Sequence, residues 1–586
     1  MKYSALATLC VLAACSSAAP PSAAPTLAPD LGRRLVAEHG VVTSAHPLAS
    51  EAGTEILRRG GNAVDAAVAT AFAVGVAEPE MSGVGGGGAM LIWLQREGRA
   101  EYVDFYPAQP VASFRRVRAT RADSASPLRA VGVPGNVAGL LAAHERFGRL
   151  PREVVMAPAI RLAEEGFPLY QVLAEMVDRD SARLGRDAVA RAIYWPGGVA
   201  IGVGDRVRNP ELAATLRRIA GEGRKGFYEG ETARALVARM NEGGHPLTLA
   251  DLAAYAPTWK RPLCTVYRGR VVLSAPPPQG GMQVLQSLEL LEPYDLRTLG
   301  YPTRSAEAFD VFASAMRAGQ QMARLNDDPR WVAIPARGVI SPGYAARWRV
   351  HVGTKHPVDS LPTVDPGAFD SAEPPGACRT LAPFDGVRPV ATDGASGPAA
   401  RPNEAGGETT HISVVDDAGN AVAVTVTNSS VFGSGAAVAG FFLNDSGIRF
   451  FRADDLDRPG APAWRTRQST IAPTVVLDGG RVTMVVGSPG GGRIPLAMMQ
   501  TMSYVLDYRL DPLEALRMSR IYPSRIGRRV ELEGAFDPAA LEGVRAMGYE
   551  PTAQSFGYAR LYLIVRDGNR WIGAADPRHD GQVRGY

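Results

Sequence analysis

The chain has 586 residues, 46% of them apolar and 21% charged, with a formal net charge of +4. This is the composition of an ordinary globular protein, built as several domains or one large unit, and it argues against long-range disorder. So small a net charge at this length also lacks the concentrated basic bias of a nucleic-acid or polyanion binder.

Met1-Lys2-Tyr3 is followed by an apolar run over 4–14 that is too short to span a bilayer. The run ends in Leu12-Ala13-Ala14-Cys15, small residues directly before a cysteine, which resembles a bacterial lipobox. Residues 1–14 are therefore expected to be a signal peptide and Cys15 the lipidated first residue of an exported protein, periplasmic or membrane-anchored. A plain secretion signal cut nearby is the alternative. The Pro/Ala-rich stretch 15–30 reads as a tether.

No repeat of 20–50 residues and no second membrane-length apolar stretch follows. Helical periods alternate with short β-branched runs, which predicts a chain of mixed helices and strands. A small-residue-rich, buried helix is expected within 58–76, after the Gly60-Gly61 turn. Strands are expected at 90–94 and 101–105, and a helix capped by Asn136 at 136–147. The run Gly83-Val84-Gly85-Gly86-Gly87-Gly88 satisfies G-x-G-x-x-G, but a strand follows it where a dinucleotide site needs a helix. Segment 371–408 is rich in Pro and Gly with few apolar anchors, so an exposed, mobile linker is expected. Runs at 412–415 and 421–427 flank Asp416-Asp417-Ala418-Gly419-Asn420 and predict a hairpin. A strand at 482–486 and a helix at 494–506 bracket Gly487-Ser488-Pro489-Gly490-Gly491-Gly492. Arg493-Ile494 stands where a P-loop needs Lys-Ser/Thr, so nucleotide binding is not supported.

The four cysteines form no C-x-x-C pair and the eight histidines no H-E-x-x-H; no metal or organic cofactor is expected. Cys264 and Cys378 either pair or stay free.

The linker runs into Glu408-Thr409-Thr410-His411. A threonine hydroxyl is a weak nucleophile that needs a base. Cutting the bond before Thr409 would free its own α-amino group, which titrates near neutrality and lies within reach of the hydroxyl. Thr-Thr at a strand start, taken alone, is ordinary β propensity; the surroundings decide otherwise.

Residues 409–433 (TTHISVVDDAGNAVAVTVTNSSVFG) resemble the small-subunit start of γ-glutamyltranspeptidases, which are N-terminal-nucleophile hydrolases. The resemblance extends to Gly60-Gly61-Asn62-Ala63-Val64-Asp65-Ala66-Ala67, the glycines at 85–88 and 132–139, and Pro276-Pro277-Pro278-Gln279-Gly280-Gly281. It continues through Gly487-Ser488-Pro489-Gly490-Gly491-Gly492-Arg493-Ile494, Asp576-Pro577-Arg578 and Gly585-Tyr586. It implies an α+β fold, a four-layer αββα sandwich formed jointly by a large subunit (31–408) and a small subunit (409–586) from one self-cleaved precursor. It implies Thr409 as nucleophile for cleavage after Glu408 and for turnover, with Thr427 bonding the nucleophile hydroxyl. It also implies that the Gly490 and Gly491 N–H groups form an oxyanion hole, in keeping with their strand-to-helix turn.

The substrate pocket departs from the family. Tyr106 stands at the arginine that binds the α-carboxylate, Arg449 at the aspartate that binds the α-ammonium, Ser429 at an asparagine and Ser446 at a glutamine. Only the hydroxyl pair Ser469-Thr470 persists. Three readings follow: a γ-glutamyl hydrolase or transferase on glutathione-type donors, an acylase for another acyl group, and a non-catalytic lipoprotein, against which the retained Thr409, Thr427, Gly490 and Gly491 argue. The expected partners are a small-molecule or peptide substrate and the sister subunit, with no nucleic acid and membrane contact only through the lipid. Three further residues read as structural: His411 as a packed strand residue, Arg493 as a helix-start or carboxylate anchor, and Asp65 as a satisfied buried carboxylate.

Overall fold

The hairpin expected after residue 408 forms the middle of the molecule. Its strands, Glu408–Val415 and Ala421–Ser429, are buried along their whole length, and both are rich in β-branched Val, Ile and Thr. The turn between them closes on Asp416, whose carboxylate accepts from the Asn420 N–H at 2.9 Å and the Ala63 N–H at 2.9 Å. The computed structural model describes residues 31–110, 127–245, 247–330, 332–357, 364–371, 374–379, 381, 408–449, 464–554 and 559–586. Signal, tether and Cys15, expected within 1–30, and most of the expected linker, 382–407, lie outside the described residues.

The hairpin belongs to a seven-stranded antiparallel sheet in the order Gln582–Gly585, Val41–Ser44, Glu408–Val415, Ala421–Ser429, Gly87–Leu94, Arg99–Phe105, Thr258–Lys260. A second seven-stranded sheet runs Arg34–Ala37, Arg570–Ala575, Tyr562–Asp567, Arg481–Gly487, Thr474–Asp478, Arg270–Ser274, Leu263–Tyr267. Both sheets draw strands from before and after residue 408. They stack face to face, with Ser413 Oγ donating across to the Tyr562 carbonyl at 3.0 Å. At Gly487 a Cβ would lie 2.2 Å from the His411 ring, so only glycine leaves room there.

Helices cover both outer faces. Pro47–Arg58, Ala63–Ala77 and Asn136–Phe147 lie on the hairpin sheet; Gly281–Leu291 and Ile494–Leu506 lie on the other. The architecture is thus the expected αββα sandwich of an α+β protein. Helix Ala63–Ala77 is closed by a capping box, Asn62 accepting from the Asp65 N–H and Asp65 from the Asn62 N–H. Asp65 also accepts from the Arg149 N–H at 3.0 Å, which satisfies its carboxylate. The strand expected at 90–94 begins earlier, at Gly87, because Gly87 and Gly88 pair with Thr427 and Val426; glycine carries no strand signal. Among the described residues no helix is long and apolar enough to cross a membrane.

The segment expected to be exposed throughout is buried at two described points, Cys378 and Glu408. Cys378, on the short helix Gly376–Arg379, is disulfide-bonded to Cys264 on the edge strand Leu263–Tyr267. Both cysteines should resist alkylation until the protein is reduced. Replacing Cys378 with Ser should cost about 2–4 kcal/mol, read as a lower denaturant midpoint.

Candidate active site

Along the hairpin the two strands pair residue for residue until Thr409. Glu408 faces Ser429 and Thr410 faces Val426, so the register shifts at the residue between. Such a bulge re-aims a side chain. Thr409 Oγ1 lies 3.3 Å from Thr427 Oγ1. The Thr427 hydroxyl in turn donates to the Glu408 carbonyl at 2.5 Å and accepts from the Ser429 N–H at 2.8 Å. One hydroxyl therefore touches both the nucleophile expected from the sequence and the carbonyl that it would attack. Thr409 is 5% exposed and Glu408 6%.

Glu408 is also held by its side chain: Oε2 accepts from Arg560 Nη2 at 3.0 Å in a buried ion pair. Burial lifts the Glu408 carboxyl above its ordinary range, with Arg560 opposing the rise. Burial likewise pushes Glu80 up to about 8, and the Tyr170 hydroxyl donates to it at 2.8 Å.

The glycines expected to hold an oxyanion sit where strand Arg481–Gly487 gives way to the turn Gly491–Arg493 and helix Ile494–Leu506. Gly490 has φ 128°, a conformation closed to other residues in practice. Gly487 lies against His411, two residues from Thr409, so the turn starts close to Thr409. Among the described residues neither the Gly490 nor the Gly491 N–H meets an acceptor. Thr470 Oγ1 donates to the Gly491 carbonyl at 2.7 Å, and Ser469 N–H to the Pro278 carbonyl at 2.9 Å. Arg493 bonds Glu531, a carboxylate anchor.

Ser429 and Ser446 share a hydrogen bond of 2.5 Å between their hydroxyls. Arg449 ends the single turn Ser446–Arg449; its side chain is outside the described residues. Tyr106 is buried, its N–H bonded to Asp104 Oδ1 at 3.0 Å and its carbonyl to the Tyr255 hydroxyl at 3.0 Å. Its own hydroxyl accepts from Arg467 Nη2 at 3.0 Å. Arg467 and Arg560 were not read from the sequence. Arg467 carried a weak signal, lying two residues before the Ser469-Thr470 pair; Arg560 carried none.

His411 packs as expected, its ring nitrogens 2.8 Å from Thr425 Oγ1 and 3.1 Å from Ser413 Oγ. Burial pulls its pKa down to about 3. Among the described residues no group of three His, Cys, Asp or Glu side chains converges as metal ligands.

The sequence model of the Gamma-glutamyltranspeptidase family matches residues 49–586. The glutathione hydrolase proenzyme of Escherichia coli (strain K12) is 31% identical, over 97% of this chain and 96% of that protein. The acylase ACY 1 proenzyme of Pseudomonas sp. (strain SE83) is 32% identical, over 87% of each chain. The solved structure of cephalosporin acylase from Bacillus halodurans is 25% identical and superposes with a TM-score of 0.79, over 98% of this chain and 99% of that one.

An imidazole kept neutral by burial has a definite acid signature. The unfolded chain takes up a proton at this position below about pH 6.5, whereas the folded chain does not until about pH 3. The stability His411 contributes is therefore present above pH 6.5 and is lost as pH falls, by about 1.4 kcal/mol per unit. A His411→Gln variant should show a correspondingly shallower loss in denaturant midpoint between pH 6.5 and 4.

Proposed function

Because the chain belongs to the gamma-glutamyltranspeptidase family, we propose that it cuts its own backbone after Glu408 and then works as an N-terminal-nucleophile hydrolase through Thr409. The observation that carries this reading is the Thr427 hydroxyl, bonded at once to Thr409 Oγ1 and to the Glu408 carbonyl.

In self-cleavage, Thr409 Oγ1 attacks the Glu408 carbonyl carbon while Thr427 supports the oxygen as it gains charge. The C–N bond breaks, its nitrogen takes the proton lost by the hydroxyl, and Glu408 is left as an ester on Oγ1. Water hydrolyses the ester, and Thr409 becomes the first residue of a small subunit, 409–586, beside a large subunit ending at Glu408. In turnover the freed α-amino group accepts the hydroxyl proton. Oγ1 then attacks the substrate acyl carbon, and the Gly490 and Gly491 N–H groups bind the oxyanion. Collapse expels the amine with its proton, and the acyl-threonine passes its acyl group to water or to an amino-acid or peptide amine.

The donors are γ-glutamyl amides of the glutathione type, a reading favoured by the relatives named glutathione hydrolase. Tyr106 supports a second reading, an acylase for a different acyl group, and several relatives bear that name. Ser429, Ser446, Ser469 and Thr470 are assigned to the donor site in either case, and the sequence adds Arg449 to them. The relatives' designation as proenzymes supports two subunits from one precursor. Cys15 is the lipidation site of an exported precursor.

Thr409→Ala should leave one unsplit chain on a denaturing gel and abolish turnover; a normally split variant would overturn the assignment. Thr427→Val should slow splitting by about 10²–10³, the effect of losing one donor to a developing oxyanion, and should slow turnover to a smaller extent, because there Thr427 only holds the Thr409 hydroxyl. Glutaryl and γ-glutamyl anilides compared on the wild type separate the two donor readings, a tenfold preference for γ-glutamyl excluding the acylase.

A further inference from the structure

The segment that carries Ser469 and Thr470 is clamped along its length. Trp464 N–H donates to the Gln109 carbonyl and Gln109 N–H to the Arg465 carbonyl. Arg465 Nη2 reaches both oxygens of Asp327 at 2.8 Å, and Thr466 N–H meets Asp328 at 3.0 Å. Among the described residues, three cations near this segment are matched to carboxylates: Arg465 to Asp327, Arg330 to Asp328 and Lys260 to Asp104. Arg467 is different. Among the described residues its only hydrogen-bond partner is the neutral Tyr106 hydroxyl, and its Nε is buried without an acceptor. Its guanidinium also lies 5.5 Å from the Tyr106 ring centroid.

The placement is specific. Thr410, Val426, Gly88 and Phe105 face one another across four adjacent strands, so Thr409 and Tyr106 lie at the same end of the sheet. Three strand spacings separate them, about 14 Å between backbones, an interval shortened from both ends by the side chains. Three residues beyond Arg467, Thr470 ties the same segment to Gly491 of the oxyanion turn. A guanidinium with free planar donors is suited to a carboxylate, which it grips with two parallel hydrogen bonds.

We propose that Arg467, positioned by Tyr106, is the receptor for a carboxylate at the far end of the acyl donor, so that the substrates are amides of short diacids, with or without an amine on the chain. The assignment rests on the acyl-threonine reading above and holds for either donor class within it.

The test uses full-length, self-processed protein with three anilides: glutaryl, γ-glutamyl and the uncharged valeryl. Arg467→Ala should split normally on a gel. It should lose about 30-fold or more in kcat/KM on whichever carboxylated donor the wild type prefers, and change less than threefold on valeryl anilide. Added ethylguanidine should restore part of the loss, which a merely structural role would not allow. Arg467→Lys, which keeps the charge without the planar fork, covers the case in which the alanine variant fails to fold, and should fall between the two. Tyr106→Phe should raise KM for the carboxylated donor more than it lowers kcat. Equal losses on charged and neutral donors would overturn the Arg467 assignment alone. A wild type inert toward all three anilides would overturn the acyl-transfer reading and this assignment with it.

Discussion

The hydrogen bond from Thr427 to the Glu408 carbonyl is the constraint around which the molecule is arranged. It fixes a peptide bond at the mouth of a hairpin whose strands are otherwise locked by ladder pairing and complete burial. A one-residue slip would send every side chain of the strand to the opposite face. The bulge at Thr409 confines the irregularity to the single residue whose hydroxyl must be turned. Next to it, the ion pair of the Glu408 carboxylate with Arg560 anchors the same residue by its side chain. Geometry of this kind demands rigid neighbours, and two stacked sheets supply them.

Much of this was legible in the residues. The hairpin announced itself through β-branched runs around an Asp-rich turn, and the turn at 487–493 through glycines between a strand and a helix. His411 read as a packed residue because alternation placed it on a strand, and its two hydroxyl partners agree. Other parts were invisible for physical reasons. Gly87 and Gly88 join a strand that glycine does not favour, because the neighbouring backbone comes too close for a side chain. Helix Pro47–Arg58 was not anticipated, nor were the long helices 281–291 and 306–321, where local period alone left the chain unassigned. Arg560 lies far from Glu408 in sequence, and no local pattern links them. Arg467 is a similar case: its meaning comes from the pairing of the described cations beside it, Arg465, Arg330 and Lys260, a property of three dimensions.

On the proposed function, a retained reaction centre accompanies an altered recognition surface. The groups proposed to act on the breaking bond, Thr409, Thr427, Gly490 and Gly491, are held by backbone register and by a turn. Those proposed to face the rest of the substrate are side chains on separate segments, free to change without disturbing the sheets. Tyr106 and Arg467 illustrate this: a guanidinium sits on a different stretch of chain, bonded to the tyrosine hydroxyl. Clamping by Asp327 and Asp328 gives that stretch the stiffness a receptor needs.

Both sheets interleave strands from the two sides of residue 408. If the backbone opens there, the two pieces remain one thermodynamic body, since neither retains a closed hydrophobic interior without the other. Dilution will not part them, and separately produced halves cannot simply dock; they would have to fold together. For this architecture, subunit dissociation and global unfolding are the same event.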